Sequence, residues 1–196
     1  MNQRESKVTR KTKETDIELY LNLDGEGEST ISTGIGFLDH MLDLFAKHAN
    51  FDLTIKATGD LHIDGHHTVE DIGICLGQAL KESLSDKKGI YRFADVSLPM
   101  QQTLANIAVD LSGRAAFVYN AQFNVSTVGE FDIELIEEFL EAFTSNAGFN
   151  LHVNVPYGDN SHHMAEAIFK GLAKALGKAV MINARTKDVP STKGVL

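Results

Sequence analysis

A net charge of −9 over 196 residues, with 18 Lys and Arg against 27 Asp and Glu, argues against a nucleic-acid partner, because a phosphate backbone demands a dense basic footprint. With 43% hydrophobic and 23% charged residues, the chain has the makeup of a globular protein, either one domain or two small halves sharing a core. No apolar run reaches the ~18 residues of a membrane span, the N-terminus has no signal-peptide pattern, and one cysteine excludes an internal disulfide, so a reducing cytoplasm is expected.

Residues 1–13 are polar and basic, with five Lys or Arg before Glu14, and read as a loose or edge-strand start. Ile17, Leu19, Leu21 and Leu23 alternate with polar residues and predict a half-buried strand. Asp24-Gly25-Glu26-Gly27 turns the chain toward a second short strand. Gly34-Ile35-Gly36 lacks the third glycine of a dinucleotide loop and reads as a tight corner. Behind it, Phe37, Leu38, Met41, Leu42 and Phe45 mark a helix that carries His40, Asp43, Lys47 and His48 on its remaining surface. Phe51, Leu53, Ile55 and Ala57 form a strand, which Leu61-His62-Ile63 extends or joins. From His66 a helix buries Val69, Ile72, Leu76, Leu80 and Leu84, with Cys75 as core packing, and Lys87-Lys88-Gly89 ends it. Strands follow near 103–111 and 114–119, with Phe123 to Val125 as a further short one. A helix near 132–146, a strand near 151–155, a loop from Pro156 to Ser161 and a helix near 162–181 complete the order. The tail from Arg185 to Leu196 has no periodicity.

Two runs stand out: His66-His67-Thr68-Val69-Glu70 and His162-His163-Met164-Ala165-Glu166. On a helix, a Glu three and four residues after a His pair shares a face with it. Imidazole nitrogens with a carboxylate suit Mn, Fe, Co, Ni or Zn. One such pair is as readily a solvated helix start; the second copy with the same Glu spacing displaces that reading. The copies extend further. Asp39 to Phe45 aligns with Glu137 to Phe143, Phe51-Asp52-Leu53 with Phe149-Asn150-Leu151, and Ala79-Leu80 with Ala175-Leu176. The repeat spans about 45 residues, built as helix, strand, motif, helix. His40 thus stands where the second copy has Glu138, and both are candidate ligands. Which histidine of a pair serves which ion stays open, because adjacent helical residues point about 100° apart.

With these residues in view, the chain resembles the imidazoleglycerol-phosphate dehydratase family over nearly its whole length. The resemblance rests on Arg10 to Thr15, Gly36 to Leu42, Gly59 to Gly73, Ser161 to Lys170 and Pro190 to Gly194. It implies an α+β fold of two similar halves, here residues 1–95 and 96–196, each a roughly four-stranded sheet covered by helices on one face. It implies a lyase of histidine biosynthesis that dehydrates imidazole-glycerol 3-phosphate to imidazole-acetol phosphate, by way of an imidazolate bound to two metals. Two Mn²⁺ per site are implied, with His40, His66, His67, Glu70, His162, His163 and Glu166 as ligands and Glu138 where some relatives have histidine. Glu14 is implied as general acid/base, His48 as a helper in proton transfer, and Glu70 and Glu166 as catalytic ligands. Arg92, Arg114, Lys170, Ser191, Thr192 and Lys193 are implied as phosphate ligands, with Glu14 and His40 also touching substrate. Ala115 follows Arg114 where the family usually has proline, and Gly65 stands where many members have an acid.

The resemblance further implies trimers assembled into a 24-subunit homo-oligomer, with sites at subunit contacts. Two helix starts covering separate sheets are also expected not to face each other within one chain, so that each site joins halves from neighbouring subunits. Beside the lyase stand two alternatives: a binuclear metallohydrolase, and a non-enzymatic metal-binding shell protein. Cations converging on a phosphate discriminate against both.

Overall fold

The structure, a computed structural model, describes residues 4–196, so the first three residues of the N-terminal stretch and of the first repeat lie outside the described residues. The first repeat runs β1 (Glu5–Lys11), β2 (Thr15–Asn22), β3 (Ser29–Ser32), α1 (Gly36–Ala49), β4 (Asp52–Gly59) and α2 (His66–Leu84). The second runs β5 (Phe93–Met100), β6 (Thr103–Asp110), β7 (Ala116–Asn120), the two-residue strands β8 (Thr127–Val128) and β9 (Phe131–Asp132), α3 (Leu135–Ala147), β10 (Asn150–Tyr157) and α4 (Ser161–Ala179). The two four-stranded sheets have the same plan: order β1-β2-β4-β3 in one and β5-β6-β10-β7 in the other. In each the last-named edge strand is parallel to its neighbour and the other pairings are antiparallel. The fold is therefore α+β with an internal duplication. Residue 95 falls inside β5, so the link between repeats ends before Phe93.

Period-2 patterning makes the sheets one-sided. On β2, Ile17, Leu19 and Leu21 face inward while Asp16 and Glu18 face solvent. The helices supply the matching apolar faces. α1 and α2 pack on the first sheet, α3 and α4 on the second, and each pairs with a helix of the other repeat: α1 with α4, α2 with α3. The four helices form one layer between two sheets, and a single apolar core runs through both repeats. At its centre lie repeat-related phenylalanines. Phe45 meets Phe51 at 5.9 Å, Phe143 meets Phe149 at 5.3 Å, and Phe45 meets Phe143 across the repeats at 6.1 Å, all edge-on. Each fully buried large side chain contributes about 1.5–3 kcal/mol by leaving water.

The helix pairs approach closely because glycines line the contacts. A Cβ on Gly73 would lie 2.8 Å from the Phe139 carbonyl oxygen, and one on Gly177 2.8 Å from that of Ala49.

Four expectations are corrected. Leu61-His62-Ile63 is a turn, not a strand, and Ile63 is 63% exposed: its apolar residues have no sheet to cover. Phe123 to Val125 pairs with nothing; the ribbon β8–β9 follows it instead, and α3 begins at Leu135 rather than near 132. β5 was not anticipated. Its inward residues Ala94, Val96, Leu98 and Met100 are only half-buried, and Pro99 obscures the pattern, although an edge strand tolerates proline. The N-terminal stretch is an edge strand, as one of its two readings had it.

Gly73→Val should destabilise the chain by about 1–3 kcal/mol, through overpacking between α2 and α3. Urea midpoints of the two proteins measure it; an unchanged midpoint means that the helices can separate without cost.

Candidate functional site

Both motif helices begin with a side chain that accepts from the backbone of the histidine pair. Asp64 Oδ1 accepts from the His66 N–H at 2.9 Å, and Asn160 Oδ1 from the His163 N–H at 3.0 Å. These fix the helix starts, and with them the direction of each pair. Within a pair the rings stand perpendicular, His66 to His67 at 89° and His162 to His163 at 90°, so the two imidazoles face different surroundings.

Cross-packing of α1 on α4 brings His40 to the second pair. His40 Nε2 lies 3.0 Å and His162 Nε2 3.2 Å from Glu166 Oε1, while Lys170 Nζ donates to Oε2. The His40 and His162 rings lie 5.9 Å apart, and Phe37 packs edge-on against His162. The ligand atoms of His40, His162 and Glu166 all lie within 4.8 Å of one another, a spacing and donor set that fit one divalent cation. The helices are sandwiched between the sheets, so α1 of one half lies beside α4 of the other and brings His40 to the second pair; the two motif helix starts, expected not to face each other, share no such cluster among the described residues. Burial works to raise the Glu166 carboxyl, but hydrogen bonds from Lys170, His40 and His162 outweigh it and hold the pKa at about 2. His48, also on α1, is half-buried; its pKa is lowered by burial and then by the Lys174 and Lys170 ammoniums, against the pull of Glu166. A neutral imidazole at pH 7 can take up a proton. His163 lies outside the three-residue cluster.

The first pair is arranged differently. His67 Nδ1 is 3.0 Å from Asp60 Oδ2 and 4.0 Å from Glu14 Oε2, which leaves Nε2 for a ligand. The Asp60 hydrogen bond raises the His67 pKa against a smaller burial effect. The other Asp60 oxygen is buried without a partner among the described residues. Glu14, Asp60 and His62 line a shallow depression of about 270 Å³. His66 Nε2 sits 4.0 Å from Glu70 Oε2, and Glu138, half-buried on α3, makes no side-chain hydrogen bond among the described residues. Among the described residues, the first pair with Glu70 and Glu138 forms no cluster like that of His40, His162 and Glu166. Sequence reading missed Asp60 as a partner of His67; its signal was its place in the run Gly59 to Gly73.

Of the cations, Arg92 is bound to its own chain. Its guanidinium donates to both Asp110 oxygens (2.7 and 3.1 Å) and to the Pro190 carbonyl at 2.9 Å, and lies 4.4 Å from the Phe93 ring centre. The Pro190 contact brings the tail with Ser191, Thr192 and Lys193 to Arg92. The Arg114 loop joins this end too, because Gly113 abuts Leu196. Lys170 is elsewhere, paired with Glu166, and the expected gathering of all these cations is not present within the one chain.

A duplicated α+β chain whose helix pairs assemble histidines and carboxylates from both repeats is the class of protein that fold and site define. The family model for imidazoleglycerol-phosphate dehydratase matches residues 33–176. A protein of that name from Azorhizobium caulinodans is 56% identical over 98% of each chain, and one from Geobacillus kaustophilus 56% identical over 98% of this chain and 99% of its own. The crystal structure of the Staphylococcus aureus enzyme superposes with a TM-score of 0.84 at 41% identity, covering 91% of this chain and 99% of that one. The Pyrococcus furiosus structure gives 0.82 at 36%, covering 96% and 100%. The chain belongs to the imidazoleglycerol-phosphate dehydratase family, the dehydratases of histidine biosynthesis. No helix among the described residues is long and apolar enough to cross a membrane.

Because the Glu166 carboxyl is held at about 2 against an ordinary 4.5, its contribution to stability is complete above pH 4.5 and is lost as pH falls toward 2. The urea midpoint of the metal-free chain should therefore fall with acid over that window, and Glu166→Gln should flatten this part of the profile. A profile unaltered by the substitution would show that the lowered pKa has no hold on stability.

Proposed function

We propose that the chain dehydrates imidazole-glycerol 3-phosphate to imidazole-acetol phosphate with two Mn²⁺ per site. The observation that carries this, beside family membership, is the convergence of His40 with His162 and Glu166 across the repeats. These three hold one ion. His66, His67, Glu70 and Glu138, with His163, supply the donors for a second, and a neighbouring copy in a homo-oligomer built from trimers, a 24-mer, completes the sites. When bound, the ions supply Lewis acidity and a template for the substrate's imidazole ring, favouring its deprotonated form.

The chain's own groups do the remaining work. The C2 proton is too weakly acidic for an unaided carboxylate, so it leaves only after ring electrons have expelled the C3 hydroxyl. Glu14, next to His67, takes the proton at C2 or delivers one to the departing hydroxyl, and His48, its pKa lowered by burial, can take up a second proton. The hydroxyl leaves as water and the enol becomes the ketone, so one H₂O is lost overall. Arg92, Arg114, Lys170, Ser191, Thr192 and Lys193 bind the phosphate. Arg92 and Lys170 must exchange their present carboxylate partners to do so. Neither a metallohydrolase nor a storage shell draws support from the relatives, which are named as dehydratases.

Metal analysis of the Mn²⁺-loaded protein should approach two ions per chain, and chelation should abolish turnover of the substrate while light scattering records a smaller particle. A firm stoichiometry of one with full activity contradicts the reading, and so does chelated protein that neither shrinks nor loses activity. His40→Ala should weaken Mn²⁺ binding by at least ~10-fold, by analogy with losses around metal ligands. Arg92→Ala should raise KM with little change in kcat, because a charged hydrogen bond contributes roughly 1.5–3 kcal/mol. An unchanged KM removes Arg92 from the phosphate site.

A further inference from the structure

The turn between β1 and β2 carries Glu14, and both of its flanks are tied to one buried residue. Asp71 is 7% exposed. Its Oδ1 accepts from Arg10 Nε on β1 at 2.8 Å, and its Oδ2 accepts from the Thr15 hydroxyl on β2. Within the turn, Thr12 Oγ1 accepts from the Glu14 N–H at 3.1 Å and the Thr15 N–H at 2.9 Å, so the backbone that bears Glu14 is continuous with the Asp71 network. Asp71 follows Glu70 directly, and adjacent residues on a helix point about 100° apart. One turn of α2 thus presents Glu70 outward and Asp71 inward beneath the hairpin.

The second repeat shows that the fold does not need this network. Its hairpin β5–β6 packs on α4 as β1–β2 packs on α2. Yet Ala167 stands in the place of Asp71 and is fully buried, and Leu98 stands in the place of Arg10. Only Thr103, matching Thr15, remains. A buried ion pair is weak support for stability where an apolar pair does the same packing. The charged version occurs only under the turn that carries Glu14.

We propose that Asp71 is a positioning residue, a two-point latch that holds the Arg10–Thr15 turn on α2 and so sets the Glu14 carboxylate beside His67. The proposal rests on the reading of Glu14 as the proton-transfer group, but the latch is measured without activity. Two variants serve. Asp71→Asn keeps the shape, and the double variant Arg10→Leu/Asp71→Ala copies the second repeat, which folds with those residues.

In the Mn²⁺-loaded protein, amide hydrogen exchange at residues 12–15 should speed up in both variants while exchange in the α2–α3 core stays as it was. Misplacement of Glu14 should lower kcat by about 100-fold with KM and Mn²⁺ content unchanged. In a Glu14→Gln background the same changes should cost little more, because they act through Glu14. Unchanged exchange at the turn overturns the latch. So does a kcat loss of equal size with and without Glu14, which marks a general structural effect. Faster exchange at the turn in a protein whose Glu14→Gln variant is fully active upholds the latch and removes Glu14 from proton transfer.

Discussion

Four amphipathic helices must bury their apolar faces against one another between two one-sided sheets, and they do so by pairing across the repeats. α1 lies on α4 and α2 on α3, with Phe45 against Phe143 near the centre and glycines where backbones come closest. The His40, His162 and Glu166 cluster depends on that exchange. Had each helix packed within its own repeat, His40 would lie far from Glu166. A three-donor cluster would then require a second chain. Cross-packing puts it within one.

Duplication has not produced two equal sites. His40, His162 and Glu166 draw together across the repeats, while His66 and Glu70 of the other set stay 4.0 Å apart. Glu166 is surrounded by donors from three side chains, which hold its carboxyl ionised well below the usual range despite its burial. His67 is oriented instead by a carboxylate, Asp60, and faces Glu14 from the hairpin. One cluster thus gathers His40, His162 and Glu166 from both repeats, and the first repeat places His67 beside Asp60 and Glu14.

The charged network under the β1–β2 turn follows the same division. Ala167 and Leu98 pack the second hairpin with apolar contact, while Asp71 and Arg10 pack the first with an ion pair and a hydroxyl hydrogen bond. Directional bonds fix the angle of a turn more narrowly than apolar contact does, which matters where a side chain on that turn must meet a reacting atom. The tail is organised comparably, through the Arg92 guanidinium bridging Asp110 and Pro190.

Much of this was legible in the chain itself. The doubled His-His-x-x-Glu run, the period-2 strand at Ile17 to Leu23 and the helical faces of Phe37 to Phe45 and Val69 to Leu84 pointed to the duplication and the candidate ligands, and the family resemblance carried by those runs implied the α+β class. Those signals are local: they depend on side-chain spacing along one element. Tertiary structure alone decided which elements meet. Nothing in the order of residues said that α1 pairs with α4, that His40 would meet Glu166, or that Asp71 would reach back to Arg10 and Thr15. β5 escaped because a half-buried edge strand with Pro99 has a weak alternation, and Leu61 to Ile63 misled because exposed apolar residues in a turn look like strand. Spacing reports the face a residue occupies, and only the packing of that face against distant elements reports what it touches.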